Sequence, residues 1–347
     1  LTIQYPLANT GFALAMKEDQ ELPSSSRIEL QTHQISALKP GEVLIKVLAS
    51  PVNPSDLVYL LGKYGLPPEN GKFVGFEASG IVVDANAGFY GKYLKGKRVA
   101  FSATPGLDGV WSQYAVTKAN FCLPVRKELT DEQAATLIVN PCTSVCLVDR
   151  AKGLGAKAIV LNAAASQVGK GVIRYANMLG IKTIATVRSE ANVSVLKQVG
   201  ATEVLLTTAT DYRKTLKDAC HQHKATVLLD AVADKDTPEV MSCMPNGATA
   251  IVYGRLTETH DPVGGQFAVA DLIFRRAKVE GFWLATYIAK ASPLSVLRLS
   301  KKVQKLFADG VFQTDVKANV TFEQFAQALD YYADNKSSGK VILTPNG

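Results

Sequence analysis

Nine residues, Leu161-Asn162-Ala163-Ala164-Ala165-Ser166-Gln167-Val168-Gly169, carry the first chemistry legible in this chain of 347 residues. They join a strand-like run, Ala158 to Leu161, to a helix-like run, Val168 to Leu179, that Gly180 closes. Ala164, Ser166 and Gly169 fall on the three glycine positions of the G-x-G-x-x-G turn that cradles dinucleotides, and only the last is glycine. Small residues at the other two still let backbone amides and a helix N-terminus approach a pyrophosphate. Ala165, Ser166, Gln167, Val168 and Gly169 are therefore candidate cofactor contacts. The motif is weak by itself, and a tight turn serving another ligand also fits it. Its position at the first turn of a strand–helix alternation strengthens it. The next strand-like run ends Val187-Arg188-Ser189. NAD sites usually place a carboxylate there to hold the ribose hydroxyls. Arg188 offers a planar fork to a 2′-phosphate and Ser189 adds a hydrogen bond, which points to NADPH. Glu190 keeps NAD open, and an ordinary surface arginine is the plain alternative.

The elements that must position these residues follow from periodicity. From about Asp131 the chain alternates strands (Ala158–Leu161, Thr183–Val187, Val204–Leu206, Thr226–Leu229, Ala248–Val252, Lys278–Trp283) with helices such as Ala191–Val199 and Asp211–Gln222. Helices closed by Gly180 and Gly200 complete the pattern of an α/β, doubly wound parallel sheet of Rossmann type over 131–287. Residues 1–130 read instead as short strands, among them Val43–Leu48, Gly75–Val83 and Arg98–Phe101, separated by Gly- and Pro-rich turns. That texture predicts a partly open barrel or sandwich. After a helix over Leu294–Phe307, Thr321-Phe322-Glu323-Gln324 fits a capping box opening a helix to about Asp334, and Val341–Leu343 forms a last strand. A strand returning at the end implies that 288–347 completes the β-rich domain.

Bulk properties narrow the class. Two domains suit this length. A hydrophobic share of 47% with 20% charged residues is that of a water-soluble globular chain. No apolar run approaches the roughly 18 residues of a membrane span, so no membrane insertion is expected. The net charge of +7 suits anionic ligands such as a phosphorylated dinucleotide or a CoA thioester. It would also suit nucleic acid, but Lys and Arg are scattered without a block, which counts against that partner. Five cysteines, an odd number without regular spacing, argue against a disulfide framework and for a reducing compartment. Cys142-x-x-x-Cys146 lacks the further ligands of a zinc knuckle. The chain opens on Leu1 and shows no leader-like segment, which leaves cytoplasm and mitochondrial matrix both open.

Several stretches in order resemble one family. Asn53-Pro54-Ser55-Asp56, Gly75-Phe76-Glu77-Ala78-Ser79-Gly80, the Ala-rich turn and Gly339-Lys340-Val341 resemble the quinone oxidoreductase branch of the medium-chain dehydrogenases/reductases across nearly the whole chain. Gly62-Lys63-Tyr64-Gly65, Val139-Asn140-Pro141-Cys142-Thr143, Asn162, Val187-Arg188 and Gly281-Phe282-Trp283-Leu284 are similar to the mitochondrial trans-2-enoyl-thioester reductases. The resemblance implies a GroES-like β-rich catalytic domain beside the Rossmann domain. Zinc-dependent relatives carry Cys and His where Asn53 and Phe76 stand, and their four-Cys lobe has no counterpart before Cys122, so no metal is expected. It implies Tyr64 as the catalytic group, orienting the substrate carbonyl and supplying a proton. Tyr59, five residues earlier, is the neighbour most easily confused with it. It implies that Asn53, Asn140 and Thr143 meet substrate or nicotinamide, that Tyr253-Gly254 and Phe282-Trp283-Leu284 line the nicotinamide end, and that Lys340 approaches the cofactor. The chain departs from the reductase pattern at Phe76, where Asn is usual, and at Gly254-Arg255, where Gly-Gly is usual.

The function implied is NADPH-dependent, zinc-free reduction of the C=C bond of an α,β-unsaturated carbonyl, a trans-2-enoyl thioester, in fatty-acid metabolism, with acyl carrier protein as a possible partner. An NADPH:quinone or enone reductase is the alternative within the fold. An NADPH-binding structural or RNA-associated protein with little turnover is the alternative of another class. The resemblance also implies a homodimer, paired through the sixth strand of the nucleotide sheet, Lys278–Trp283.

Overall fold

The computed structural model describes residues 3–257 and 263–347. The chain divides into two compact units, Leu1–Val139 with Ser300–Gly347, and Asn140–Leu299. These divisions lie further along the chain than the expected ones at 131 and 288.

The first unit begins with an antiparallel pair, β1 (Leu7–Leu14) and β2 (Ile28–Ile35). β3 (Glu42–Pro51) follows and is buried at nearly every position. The cause is its central place, with strands on both sides, so its apolar run need not alternate. α1 (Pro54–Leu60) comes next. Asn53 stands before it, Pro54 opens it with a preset φ, and the Asp56 carboxylate returns to accept the Asn53 N–H at 2.7 Å. β4 (Glu77–Asn86), α2 (Gly88–Leu94), β5 (Arg98–Ser102), β6 (Tyr114–Lys118), β7 (Cys122–Pro124) and α3 (Asp131–Ala135) complete this stretch.

The second unit starts in a π-type turn, Ile138–Cys142, that carries Pro141 and runs into α4 (Thr143–Gly153). Then come β8 (Ala158–Leu161), α5 (Gln167–Met178), β9 (Lys182–Val187), α6 (Ala191–Val199), β10 (Glu203–Leu206), α7 (Tyr212–His223), β11 (Ala225–Asp230), α8 (Asp236–Cys243), β12 (Thr249–Val252), α9 (Val269–Ile273), β13 (Lys278–Gly281) and α10 (Leu284–Lys290). The strands are all parallel, in the order β10-β9-β8-β11-β12-β13. The order reverses between β8 and β11, so the carboxyl ends of those two strands flank the crevice where doubly wound sheets take their ligands. Ala158, Val160, Ile184, Leu228 and Ala250 pack the sheet against α7 and α8 through Leu216, Cys220, Val240 and Met241. α7 is closed by Lys224 at φ 53°. β13 stops at Gly281, short of the expected Trp283, so Phe282 and Trp283 lie beyond the strand and Trp283 is exposed.

α11 (Pro293–Ala308) leads back to β14 (Val316–Val320), α12 (Phe322–Asp334) and β15 (Lys340–Leu343). The capping box at Thr321 and Gln324 is formed. The sheet of the first unit runs β14-β15-β3-β4-β5-β7, with β6 also on β3. Phe325, Leu329 and Tyr332 of α12 share a core with Phe12, Trp111 and Leu343, the Phe12 and Phe325 rings stacked at 4.9 Å.

Candidate active site

In the nucleotide unit, the turn after β8 is built for close approach. Ala163 sits at φ 46°, a left-handed conformation that bends the chain sharply. Ser166 caps α5, its hydroxyl accepting the Gly169 N–H at 3.1 Å. A Cβ at position 169 would lie 2.4 Å from the Ala164 carbonyl oxygen, so this glycine lets the helix press onto the turn. A helix of 12 residues thus points its N-terminal amides out of a tight loop. Ser144 ties the start of α4 to this point: its hydroxyl lies 3.0 Å from both the Asn140 and Val168 carbonyls. Asn140, Thr143 and Val168 therefore share one neighbourhood.

The facing side of the crevice is the end of β11. Asp230 is fully buried and accepts from Asn162 Nδ2 (2.6 Å), from the Val232 and Ala233 amides (3.0 and 2.9 Å) and from Thr237 Oγ1. Asn162 Oδ1 accepts the Ala231 N–H at 2.7 Å. This clamp locks the two turns at the reversal of strand order. Beside it, the Tyr253 N–H donates to the Asp230 carbonyl at 3.0 Å, and the Gly254 α-carbon backs onto Ala231. The Tyr253 hydroxyl is buried without a hydrogen-bond partner among the described residues, and burial beside Asp230 pushes its pKa up. The Phe282 N–H bonds the Val252 carbonyl at 2.8 Å, which sets Phe282, Trp283 and Leu284 just past the edge strand. Arg188 and Ser189 stand exposed at the end of β9, beyond the buried Val187.

In the other unit, Asn53 is the centre of a buried polar network. Its Nδ2 donates to Glu77 Oε1 at 2.8 Å, and its Oδ1 accepts from the Lys340 ammonium. Lys340 also donates to the Val52 carbonyl at 3.0 Å. Asp56 Oδ1 accepts the Phe76 N–H at 3.1 Å, and Glu77 Oε2 accepts the Ile138 and Val139 amides at 3.1 and 2.9 Å. Asn53 is 0% and Lys340 1% exposed. Burial raises the Asp56 carboxyl to about 7, offset by the Asn53 amide and by Lys340. It raises Glu77 also, against its amide donors, and lowers Lys340 to about 8, against the two carboxylates. Tyr64 is half-buried, its ring 5.0 Å from that of Phe76. Phe76 also meets Tyr59 edge-on at 5.5 Å. The Tyr59 hydroxyl accepts the Glu69 N–H at 3.2 Å and pins the loop.

Known proteins match this arrangement. Residues 39–127 match the alcohol dehydrogenase GroES-like domain family and residues 168–302 the zinc-binding dehydrogenase family. The mitochondrial enoyl-[acyl-carrier-protein] reductase of Rattus norvegicus is 30% identical over 322 residues, 91% of this chain and 84% of that protein. The chain belongs to the zinc-free medium-chain dehydrogenases/reductases, in their enoyl reductase and quinone oxidoreductase branch. Among solved structures, a proposed NADPH:quinone reductase from Mesorhizobium loti is 32% identical with a TM-score of 0.87, covering 99% of this chain and 100% of its own. The Etr1p/Etr2p 2-enoyl thioester reductase heterodimer of Candida tropicalis shares the fold at 20% identity, TM-score 0.80, over 97% and 99% of the two chains.

Members of this branch are NADPH-dependent oxidoreductases, and the residues present fit that dinucleotide. The close-approach glycine, the capped helix N-terminus and the orphaned Tyr253 hydroxyl all lie around the crevice of the dehydrogenase sheet. Among the described residues, no group of three His, Cys, Asp or Glu side chains is placed to hold a metal. Sequence reasoning quoted Asp56, Glu77 and Asn162 without giving them roles and passed over Asp230. The available signal was an acid ending or flanking an apolar strand: Asp230 closes Ala-Thr-Val-Leu-Leu-Asp and Glu77 opens β4. Such acids are buried only when fully bonded.

Proposed function

We propose that this reductase saturates the C=C bond of a trans-2-enoyl thioester within fatty-acid metabolism. The observation that carries the reading is the likeness to an enoyl-[acyl-carrier-protein] reductase over 91% of the chain, with Tyr64-Gly65 in place and non-ligands at the zinc positions. NADPH supplies the hydride, which goes to the β-carbon and is balanced by a proton at the α-carbon. The Ala165–Gly169 turn binds its pyrophosphate through backbone amides, and Arg188 with Ser189 holds the 2′-phosphate. Asn140, Thr143, Tyr253, Gly254 and Phe282–Leu284 surround the nicotinamide end and exclude water. Tyr64 donates a hydrogen bond to the substrate carbonyl as charge builds on its oxygen, and its hydroxyl supplies the proton. Asn53 and Lys340 were expected to touch the cofactor. With the Asn53 amide and the Lys340 ammonium engaged inside their own unit, we assign them to positioning the loop that carries Tyr64.

A quinone or enone acceptor is the second reading. It is favoured by Phe76, which puts an aromatic face against Tyr64 where the thioester reductases have Asn, and by the Mesorhizobium loti likeness. NADPH oxidation against crotonyl- to hexadecenoyl-thioesters and against benzoquinones separates the two. Rates that depend on acyl length support the thioester; turnover of quinones alone rejects it. Silence with both, despite NADPH binding, leaves a non-catalytic NADPH-binding protein. We further propose a homodimer paired through β13, the edge of its sheet, near which Val279, Ile273 and Phe274 expose apolar surface. Light scattering of the wild type and Val279→Lys tests it, and equal masses would reject it.

A further inference from the structure

α2 carries an aromatic surface that the reduction chemistry does not use and that the fold ties down only through the Tyr90 hydroxyl, which donates to the Cys122 carbonyl at 2.8 Å. Its sequence, Gly88-Phe89-Tyr90-Gly91-Lys92-Tyr93-Leu94, turns Gly91 and Leu94 inward. A Cβ on Gly91 would meet that of Ala87 at 2.8 Å, and Leu94 joins the core with Val99 and Phe101. The outward residues are aromatic: Phe89 is 94% exposed, Tyr93 55% and Tyr90 38%. Tyr90 and Tyr93 stack at 6.1 Å, which presents their rings as one face. A phenylalanine in water forgoes a large burial gain, so such a cluster marks a contact surface.

The charges carried by this segment itself have one sign. From Gly88 to Arg98 the chain carries Lys92, Lys95, Lys97 and Arg98 and no acid. Lys95 pairs with Asp84 at 3.0 Å and Arg98 with Asp131 at 2.7 Å. Lys92 and Lys97 form no ion pair among the described residues, and the Lys97 ammonium lies 4.3 Å from the Tyr93 ring centre. An open groove of about 470 Å³ runs beside the helix, lined by Asn86, Gly88, Tyr90 and Lys118.

We propose that α2 docks this protein onto anionic lipid bilayers, Phe89 and Tyr93 entering the boundary between headgroups and acyl chains while Lys92 and Lys97 meet lipid phosphates. The chemistry is that of interfacial anchors, with rings at headgroup depth and long cationic side chains reaching to the phosphates. A protein partner fits less well. A stable protein interface needs about 800 Å² per side and complementary shape, whereas a seven-residue helix is only about 10 Å long. A bilayer requires no matching contour.

The test sediments the full chain with vesicles of phosphatidylcholine alone and of phosphatidylcholine with phosphatidylglycerol. Binding is expected only with phosphatidylglycerol, falling as salt is raised. Phe89→Ser should weaken partitioning roughly tenfold or more, and Lys92→Ala about fivefold. NADPH turnover in vesicle-free buffer should not change in either variant. Phe89 is too exposed for its loss to unfold the chain, and Phe89→Trp adds a second readout, a blue-shifted emission on anionic vesicles. Equal binding to both lipids, or undiminished binding by Phe89→Ser, would overturn the proposal. So would capture of this face by an acidic protein while the vesicles are ignored.

Discussion

Replacing Gly169 by alanine tests the dinucleotide cradle most directly. The new methyl would lie 2.4 Å from the Ala164 oxygen and 2.7 Å from both its carbonyl carbon and its α-carbon. Ordinary carbon contacts need about 3.5 Å, so one side must retreat by about 1 Å. The turn cannot yield easily: Ala163 already holds a left-handed φ, Ala164 is fully buried, and Asn162 is clamped to Asp230 and Ala231. The start of α5 therefore moves. That retreat stretches the Ser166–Gly169 cap beyond hydrogen-bond length, costing about 1 kcal/mol, and residual overpacking costs about 1–3 kcal/mol. Alanine's better helix propensity returns at most about 1 kcal/mol, so a net loss of about 1–3 kcal/mol remains. The helix amides recede from the pyrophosphate by the same distance. Losing one charge-assisted hydrogen bond, about 1.5–3 kcal/mol, weakens NADPH roughly tenfold to a hundredfold. Urea unfolding and NADPH fluorescence titration measure the two effects. Ala164→Gly, which removes a buried methyl without a clash, serves as control and should leave NADPH affinity within about twofold. Unchanged stability in Gly169→Ala would refute the close-approach argument, and unchanged affinity with lowered stability would refute the placement of the phosphate.

Arg188→Ala should weaken NADPH about tenfold to a hundredfold and NADH less than about twofold; equal losses for both would remove the 2′-phosphate role. Tyr64→Phe should lower kcat by about a hundredfold while NADPH affinity holds, and an unchanged rate would retire it as the proton donor. Lys340→Met strands Asp56 and Glu77 without their buried cation and removes the ammonium from Asn53 Oδ1; urea unfolding should show a loss of about 3 kcal/mol or more. Asp56 titrates at about 7 in the folded chain against 3.8 unfolded, so the stability it contributes is present below about pH 4 and is lost as pH rises through 7. Relative to Asp56→Asn, the wild type should therefore lose stability between pH 5 and 7; a pH-independent difference would show that Asp56 does not titrate there.

Much of this was legible beforehand. The alternation of strands with glycine-closed helices is local information, and it located the sheet and the turn at 162–169 within a residue or two. The buried network was missed. Asn53, Asp56, Glu77 and Lys340 are dispersed over nearly 290 positions of sequence and meet only when β15 pairs with β3, with Ile342 opposite Pro51. Periodicity cannot place a lysine beside an asparagine at that separation. The fingerprint shows where the rule bends: sterics demand glycine only at Gly169, where the helix touches the turn, so Ala164 and Ser166 stand at the other two positions without penalty.

The place of β15 has a consequence for biosynthesis. A ribosome delivers β3 nearly 290 residues before the strand that lies against it, and the whole nucleotide unit emerges in between. During that interval the end of β3 at Ser50 and Pro51 lacks its partner strand and two acids destined for burial lack the ammonium beside them. The nucleotide unit, contiguous from Asn140 to Leu299, can complete its sheet during synthesis, while the unit bearing Tyr64 must wait for the last strand. A nascent chain stalled before Lys340 should thus already bind NADPH yet remain open to proteolysis in its first 139 residues, so that cofactor recognition precedes catalytic competence in the life of each molecule.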